Sequence, residues 1–105
     1  MFVTAQGSPK TRFSRAIERR SLINAELAAR EMTHVSLEDA LALVVLYGEQ
    51  GESRFERAAV RWLGRLYLEK PLPFALAVRC GELVAELRGP SAESAANALT
   101  ALVRN

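Results

Sequence analysis

Arginine is the residue type whose spacing in this sequence most directly suggests a binding chemistry. Arg57, Arg61 and Arg65 recur at every fourth position, and Arg54 lies on the same side of a helix drawn through them. Like charges at this spacing cost an isolated helix about 0.2–0.5 kcal/mol per pair, so a stripe of them requires compensation. Phosphate groups or an acidic partner could supply it. Two arginines of the first predicted helix could extend the stripe, so the candidate binding residues are Arg54, Arg57, Arg61, Arg65, Arg15 and Arg19.

Two interpretations of this arginine stripe stay open. In the first, which we favour, the stripe is a solvated helix face or is neutralised by carboxylates on other helices, such as Glu26, Glu31, Glu82 and Glu86. In the second, the stripe binds the phosphates of a nucleic acid. No aromatic residue interleaves the stripe, so stacking of bases is not indicated.

Other side chains that could perform chemistry have simpler structural explanations. Cys80, the only cysteine, falls on the apolar side of a predicted helix, where we expect a buried thiol and not a nucleophile. His34 lies in a short linker without the companions that a metal site requires. Glu82 and Glu86 share a polar helix face and are expected to be solvated. The sequence therefore predicts no catalytic residue, no metal site and no cofactor.

Two polar residues interrupt the apolar side of the first predicted helix. Arg20 and Asn24 lie one turn apart there, and buried polar groups need hydrogen-bond partners. They could line a cleft. The interpretation that we favour places them at an edge, where they reach water or contact another subunit.

Five amphipathic segments must position these side chains, and no segment alternates with the period of a strand. We therefore predict an all-α fold, a compact bundle of about five helices arranged as one N-terminal helix plus two helical hairpins. Residues 1–11 are expected to form a flexible N-terminal segment and residues 12–105 a single helical domain. The first predicted helix covers residues 14–32, the second follows Ser36 and ends before Gly48, and the third begins at Ser53 and ends at Glu69 or Lys70. The fourth covers residues 73–88, and the fifth follows Ser91.

Local signals define most of the predicted helix ends. Ser53 and Glu56 form a capping-box sequence at the start of the third helix, and Ser91 stands where it could cap the fifth. Pro71 ends the third helix because proline lacks a backbone donor, and Pro73 is expected to be the first residue of the fourth.

The second helix is predicted to lie at the centre of the bundle, because residues 40–47 are apolar on every side. Five short helices need not cover such a segment completely, so a second copy of the chain would complete its burial, as a homodimer. Val60 and Tyr67 lie at the margin of the third helix's buried side and Leu68 lies outside it. Exposed apolar groups of this kind indicate an interface.

Composition narrows the class of protein. The chain has 105 residues, of which half are hydrophobic, and a formal net charge of +2, which is too small to indicate nucleic-acid binding by itself. A single cysteine and the lack of an apolar leader or membrane span predict a cytoplasmic protein without contact to the membrane. Only two of its fourteen basic residues are lysine, which we attribute to a GC-rich genome, as in many bacteria.

Residues 40–71 resemble a tetratricopeptide-like helical hairpin. The residues that carry the resemblance are Tyr47, Gly51-Glu52, Phe55 to Ala58, Trp62 and Pro71. The resemblance implies a scaffold that grips a peptide or a partner protein and performs no chemistry.

The sequence thus predicts a non-enzymatic module for protein–protein interaction or regulation, either a homodimer or bound to a protein partner. The alternative is a nucleic-acid-associated protein that binds phosphates through the arginine stripe. A small enzyme is the third possibility, but the sequence offers no candidate nucleophile or general base for it.

Overall fold

The computed structural model describes residues 7–105 and divides the chain into two compact units, Met1–Ser36 and Leu37–Asn105. Six α-helices and one 3₁₀ turn lie in residues 7–105, and these residues contain no strand. The all-α prediction is therefore confirmed, with six helices in place of about five. The predicted flexible segment falls partly on residues 1–6, outside the described part of the chain. The prediction of a single domain stays a prediction.

The first unit contains helices α1 (Pro9–Glu18) and α2 (Leu22–Glu31). Ser8 caps α1, since its side-chain oxygen accepts a hydrogen bond from the Thr11 backbone N–H at 3.1 Å. The two helices pack against each other, and alanines buried along them allow close approach.

The prediction of one continuous helix over residues 14–32 was wrong, because the chain turns at Arg20. Arg20 has a φ of 59°, in the left-handed region. Its N–H bonds to the Ile17 carbonyl at 3.0 Å, and the Ser21 N–H bonds to the Ala16 carbonyl at 2.9 Å. This pair of bonds is a Schellman motif, which satisfies the last carbonyls of α1 and ends the helix.

The second unit contains α3 (Leu37–Glu49), α4 (Phe55–Glu69), α5 (Phe74–Ala85), a 3₁₀ turn (Glu86–Arg88) and α6 (Ala92–Arg104). Helix α3 packs against α4 and α6, and α5 packs against α4 and α6. One side of α4 enters the core at helical spacing through Phe55, Ala59, Trp62 and Leu66. Residues 40–47 are buried or half-buried, and Ala40, Leu43 and Tyr47 are among the half-buried ones. The expectation that a second copy of the chain completes the burial of α3 stays a prediction.

Three predicted helix starts were wrong in detail. Helix α4 begins at Phe55 without a side-chain cap, because Ser53 Oγ donates to the Glu52 carboxylate at 3.5 Å and not to the helix. Pro73 occupies the N-cap position of α5 and not its first turn. Ser91 occupies the N-cap position of α6 but makes no capping hydrogen bond.

Gly48 marks the closest approach of α3 to the 3₁₀ turn. A Cβ atom at this position would lie 2.6 Å from the Leu87 carbonyl oxygen, so only glycine fits without movement of the backbone. Within the residues that the structure describes, no helix has the length and apolar character needed to cross a bilayer.

Candidate functional site

An apolar groove lies between α3 and α4 and has a volume of about 550 Å³. Its walls follow helical spacing, so one face of each helix contributes to it. We call it the α3–α4 groove, and its lining residues are Ala40, Leu43, Val44 and Tyr47 of α3 with Ala58, Arg61, Trp62, Gly64, Arg65 and Leu68 of α4.

Trp62 is fixed beneath this groove. The side chain is only 2 % exposed, and its indole Nε1–H donates to the Leu37 carbonyl oxygen at 2.9 Å. A buried indole needs such a partner, because an unsatisfied N–H inside the protein costs about 1–3 kcal/mol. This hydrogen bond therefore joins the start of α3 to the middle of α4.

The surface beside the groove combines apolar and cationic groups. Helix α4 turns Arg57, Val60, Arg61, Gly64 and Leu68 towards solvent, and we call this set the outer face of α4. Val60 is 68 % exposed and Leu68 is 90 % exposed, which confirms that apolar groups stay uncovered on this helix. Burial of one such leucine against a partner is worth about 1.5–3 kcal/mol.

Two of the four predicted arginines of the stripe are held by nearby carboxylates. Arg54 Nε donates to the Glu52 carboxylate at 2.8 Å, and its guanidinium lies 5.2 Å from the centre of the Tyr47 ring. The hydrogen bond from Arg54 lowers the pKa of Glu52 below its ordinary value. Arg65 Nε donates to Glu69 at 2.9 Å, one turn along the same helix. These two ion pairs neutralise Arg54 and Arg65, the arginines at the two ends of the stripe.

Arg57 and Arg61 remain unpaired. Among residues 7–105, neither has an ion-pair or hydrogen-bond partner. Three of the four carboxylates expected to neutralise them pair with other arginines, since Glu31 pairs with Arg12, and Glu82 and Glu86 both pair with Arg79. Arg57 and Arg61 are exposed on the outer face of α4, so a solvated helix face and the binding of an anionic ligand stay the two open interpretations.

Arg15 and Arg19 belong to the other unit, where they line a groove of about 390 Å³ between α1 and α2. Neither has an ion-pair partner within the described residues. Their addition to the α4 stripe stays a prediction. Asn24 is exposed, lines the same groove and donates to Ser21 Oγ at 2.9 Å, so it reaches water, as the favoured interpretation expects. Arg20 is exposed in the turn.

One ion pair closes an edge of the α1–α2 groove. The Arg12 guanidinium donates two hydrogen bonds to the Glu31 carboxylate, at 2.7 and 3.3 Å. These bonds lower the pKa of Glu31 and raise that of Arg12 relative to their ordinary values. The pair is exposed, so it orients the two helices and adds little stability.

Cys80 lies in the core, as predicted. It is 0 % exposed, and burial raises the pKa of its thiol, which keeps the thiol protonated near neutral pH. His34 is exposed in the linker. No group of three metal-ligating side chains occurs in the part of the chain that the structure describes.

Gly64 is the residue of this surface that sequence reasoning missed. It lies in the interior of the continuous helix α4 and lines the groove, but a Cβ atom there would meet nothing within 4 Å. The available signal was a glycine inside an otherwise uninterrupted helical pattern, where glycine costs about 1 kcal/mol relative to alanine.

Comparison with known proteins identifies no relative: no protein-family model, no curated protein and no solved structure matches this chain. The tetratricopeptide-like resemblance of residues 40–71 stays a prediction. The α3–α4 groove and the outer face of α4 therefore form the candidate binding surface.

Proposed function

We propose that this chain is a non-enzymatic protein-interaction module, and that it binds its partner through the α3–α4 groove and the outer face of α4. The observation that carries the proposal is Leu68, which is 90 % exposed at the rim of an apolar groove. A large exposed apolar side chain beside a solvent-accessible apolar groove is typical of a binding surface, because covering both removes apolar area from water.

The chemistry of the lining favours a polypeptide ligand. Ala40, Leu43 and Tyr47 of α3 and Leu68 of α4 offer apolar contact along the groove. Arg61 and Arg65 add charge at its side. An amphipathic helix that lies in a groove uses this combination of apolar anchors and flanking charges. A nucleic-acid backbone would gain nothing from the apolar side chains.

Self-association is one form that this function could take, and the homodimer stays a prediction. Residues 40–47 of α3 are only partly covered within the chain, so a second copy could bind the α3–α4 groove and the outer face of α4. Light scattering at micromolar concentration measures this directly. A particle of twice the chain's 11.6 kDa supports the homodimer, and a monomer of 11.6 kDa contradicts it.

A photo-crosslinking experiment tests the docking surface itself. A photoreactive residue at position 68 should give one discrete protein adduct in the organism's own cells, and Val60→Glu in the same chain should abolish it. The control places the photoreactive residue at exposed Glu93 of α6, where no adduct is expected. Absence of a discrete adduct at position 68, or an adduct that survives Val60→Glu, contradicts the proposal.

Nucleic-acid binding is the second candidate, and the unpaired state of Arg57 and Arg61 is the observation that favours it. Neutralisation of two phosphates predicts that affinity for labelled DNA or RNA falls about tenfold between about 50 and 200 mM salt. Substitution of both arginines by glutamate should abolish binding measured by fluorescence anisotropy. If binding is absent, or survives the substitution, this candidate is wrong.

A further inference from the structure

Gly64 has no evident role inside the chain. Glycine is among the least favourable residues in a helix interior, yet α4 runs without interruption from Phe55 to Glu69. A Cβ at Gly64 would meet nothing within 4 Å, whereas a Cβ at Gly48 would collide with a carbonyl oxygen at 2.6 Å. Close packing therefore explains the glycine at position 48 but does not explain the glycine at position 64. A bare backbone on an exposed helix face permits another backbone to approach closely.

The unpaired charges near Gly64 on the outer face of α4 are both positive. Arg61 lies one turn before it and Arg57 two turns before it, and neither has an ion-pair partner in residues 7–105. The nearest acidic residues of α4 are already engaged, because Glu56 pairs with Arg88 at 3.5 Å and Glu69 pairs with Arg65. A ligand that places carboxylates beside these two arginines would be electrostatically complementary to the surface.

The dimensions of the surface match a short helix. From Arg57 to Leu68 the outer face covers three turns of α4, or about 17 Å at about 1.5 Å per residue. Apolar side chains of α3 and α4 line the groove beside this face at the spacing that anchors of an amphipathic helix can meet.

We infer that the occupant of this surface is an acidic amphipathic helix of a different polypeptide, which crosses α4 closely at Gly64 and places carboxylates against Arg57 and Arg61. The inference rests on the proposed function and specifies its partner class. A second copy of the chain fits less well. Two outer faces placed together would bring four unpaired arginines into one interface without a free carboxylate from α4, and like charges at an interface oppose association.

Two designed peptides test the charge requirement. Each is a helix of about 18 residues with leucines at i, i+3, i+4 and i+7, flanked by glutamates in one peptide and by lysines in the other. Fluorescence anisotropy of the labelled peptide measures affinity. Emission from Trp62, the only tryptophan of the chain, reports occupancy of the groove above it. We expect the acidic peptide to bind at least about tenfold more tightly than the basic one.

Two variants of the full chain locate the peptide. Arg61→Glu should weaken the acidic peptide about tenfold, and Arg30→Glu, the same charge change on an exposed residue of α2 that does not line the groove, should leave affinity unchanged. Gly64→Leu should weaken binding by a similar factor without lowering the melting temperature, because leucine favours the helix and meets open space.

Several outcomes overturn the inference. These are equal binding of the two peptides, no binding of either, unchanged affinity after Arg61→Glu, or a micromolar homodimer that Gly64→Leu dissociates. If the adduct at position 68 forms but the acidic peptide does not bind, the proposed function stands and this inference is wrong. If neither is observed, both are wrong.

Discussion

Alanine substitutions at two helical glycines are expected to change stability in opposite directions. Gly64→Ala should stabilise the second unit, and Gly48→Ala should destabilise it. Both replace glycine inside an α-helix with the residue that favours a helix most. The difference lies in the space that the new methyl group meets, which is open at Gly64 and occupied at Gly48.

The expected sizes follow from helix propensity and from packing. At Gly64 the propensity difference contributes about 0.8–1.0 kcal/mol and nothing opposes it. At Gly48 the gain is smaller, since this residue precedes the last residue of α3. The methyl group there lies 2.6 Å from the Leu87 carbonyl oxygen and 3.3 Å from Phe55 Cε1, and overpacking of this kind costs about 1–3 kcal/mol. The two variants should therefore differ by about 2–3 kcal/mol.

Urea unfolding followed by Trp62 fluorescence measures both effects, because Trp62 lies in the core of the second unit. An increase of about 1 kcal/mol for Gly64→Ala should raise the melting temperature by about 4 °C or more. A stability of Gly48→Ala equal to that of the wild type would show that α3 and the 3₁₀ turn are not in close contact. A loss of stability in Gly64→Ala would show that Gly64 is needed for packing within the chain, which contradicts its proposed role at the docking surface.

Three further outcomes follow from single contacts. Trp62→Phe should cost about 1–3 kcal/mol of unfolding free energy in urea titrations, because it removes the buried hydrogen bond to the Leu37 carbonyl. Native Cys80 should react with a thiol reagent only as fast as the core opens, since burial both shields the thiol and raises its pKa. The folded pKa of Glu31 lies below its ordinary value of 4.5, so its contribution to stability is present above that pH and is lost as the pH falls through the lower folded value. Thermal unfolding of wild type and Glu31→Gln should therefore differ by a small amount at neutral pH, because the pair is largely exposed, and should converge in acid.

A specific result would contradict each of the predictions for Trp62, Cys80 and Glu31. An unchanged urea midpoint for Trp62→Phe would mean that the indole hydrogen bond adds nothing to stability. Rapid labelling of Cys80 in the native protein would place the thiol at the surface. A difference between wild type and Glu31→Gln that persists at low pH would show that the carboxylate acts through packing and not through its charge pair with Arg12.

The fold was largely predictable where the deciding signals are local. The apolar spacing of α4 and its end before Pro71 depend on residues within a few turns of each other, so the sequence pattern indicates both. The break between α1 and α2 was not predictable in the same way. Neither glycine nor proline occurs at the turn, and Arg20 adopts a left-handed conformation that its residue type does not favour.

The candidate site divides in the same way. The helical register of the arginine stripe and the exposure of Leu68 follow from periodicity. The pairing of each arginine does not, because a sequence does not specify which carboxylate lies within reach. The importance of Gly64 was also hidden, since it depends on the empty space around one position of the folded chain.

The indole hydrogen bond of Trp62 has a consequence for the thermodynamics of binding. The loop between Glu49 and Phe55 joins α3 to α4 at one end, and the Trp62–Leu37 bond joins them again further along. A groove held at two points cannot widen freely, so its walls are already in place when a ligand arrives. The entropy lost on association then comes mainly from the ligand, and a partner segment that is helical before it binds should gain the most affinity.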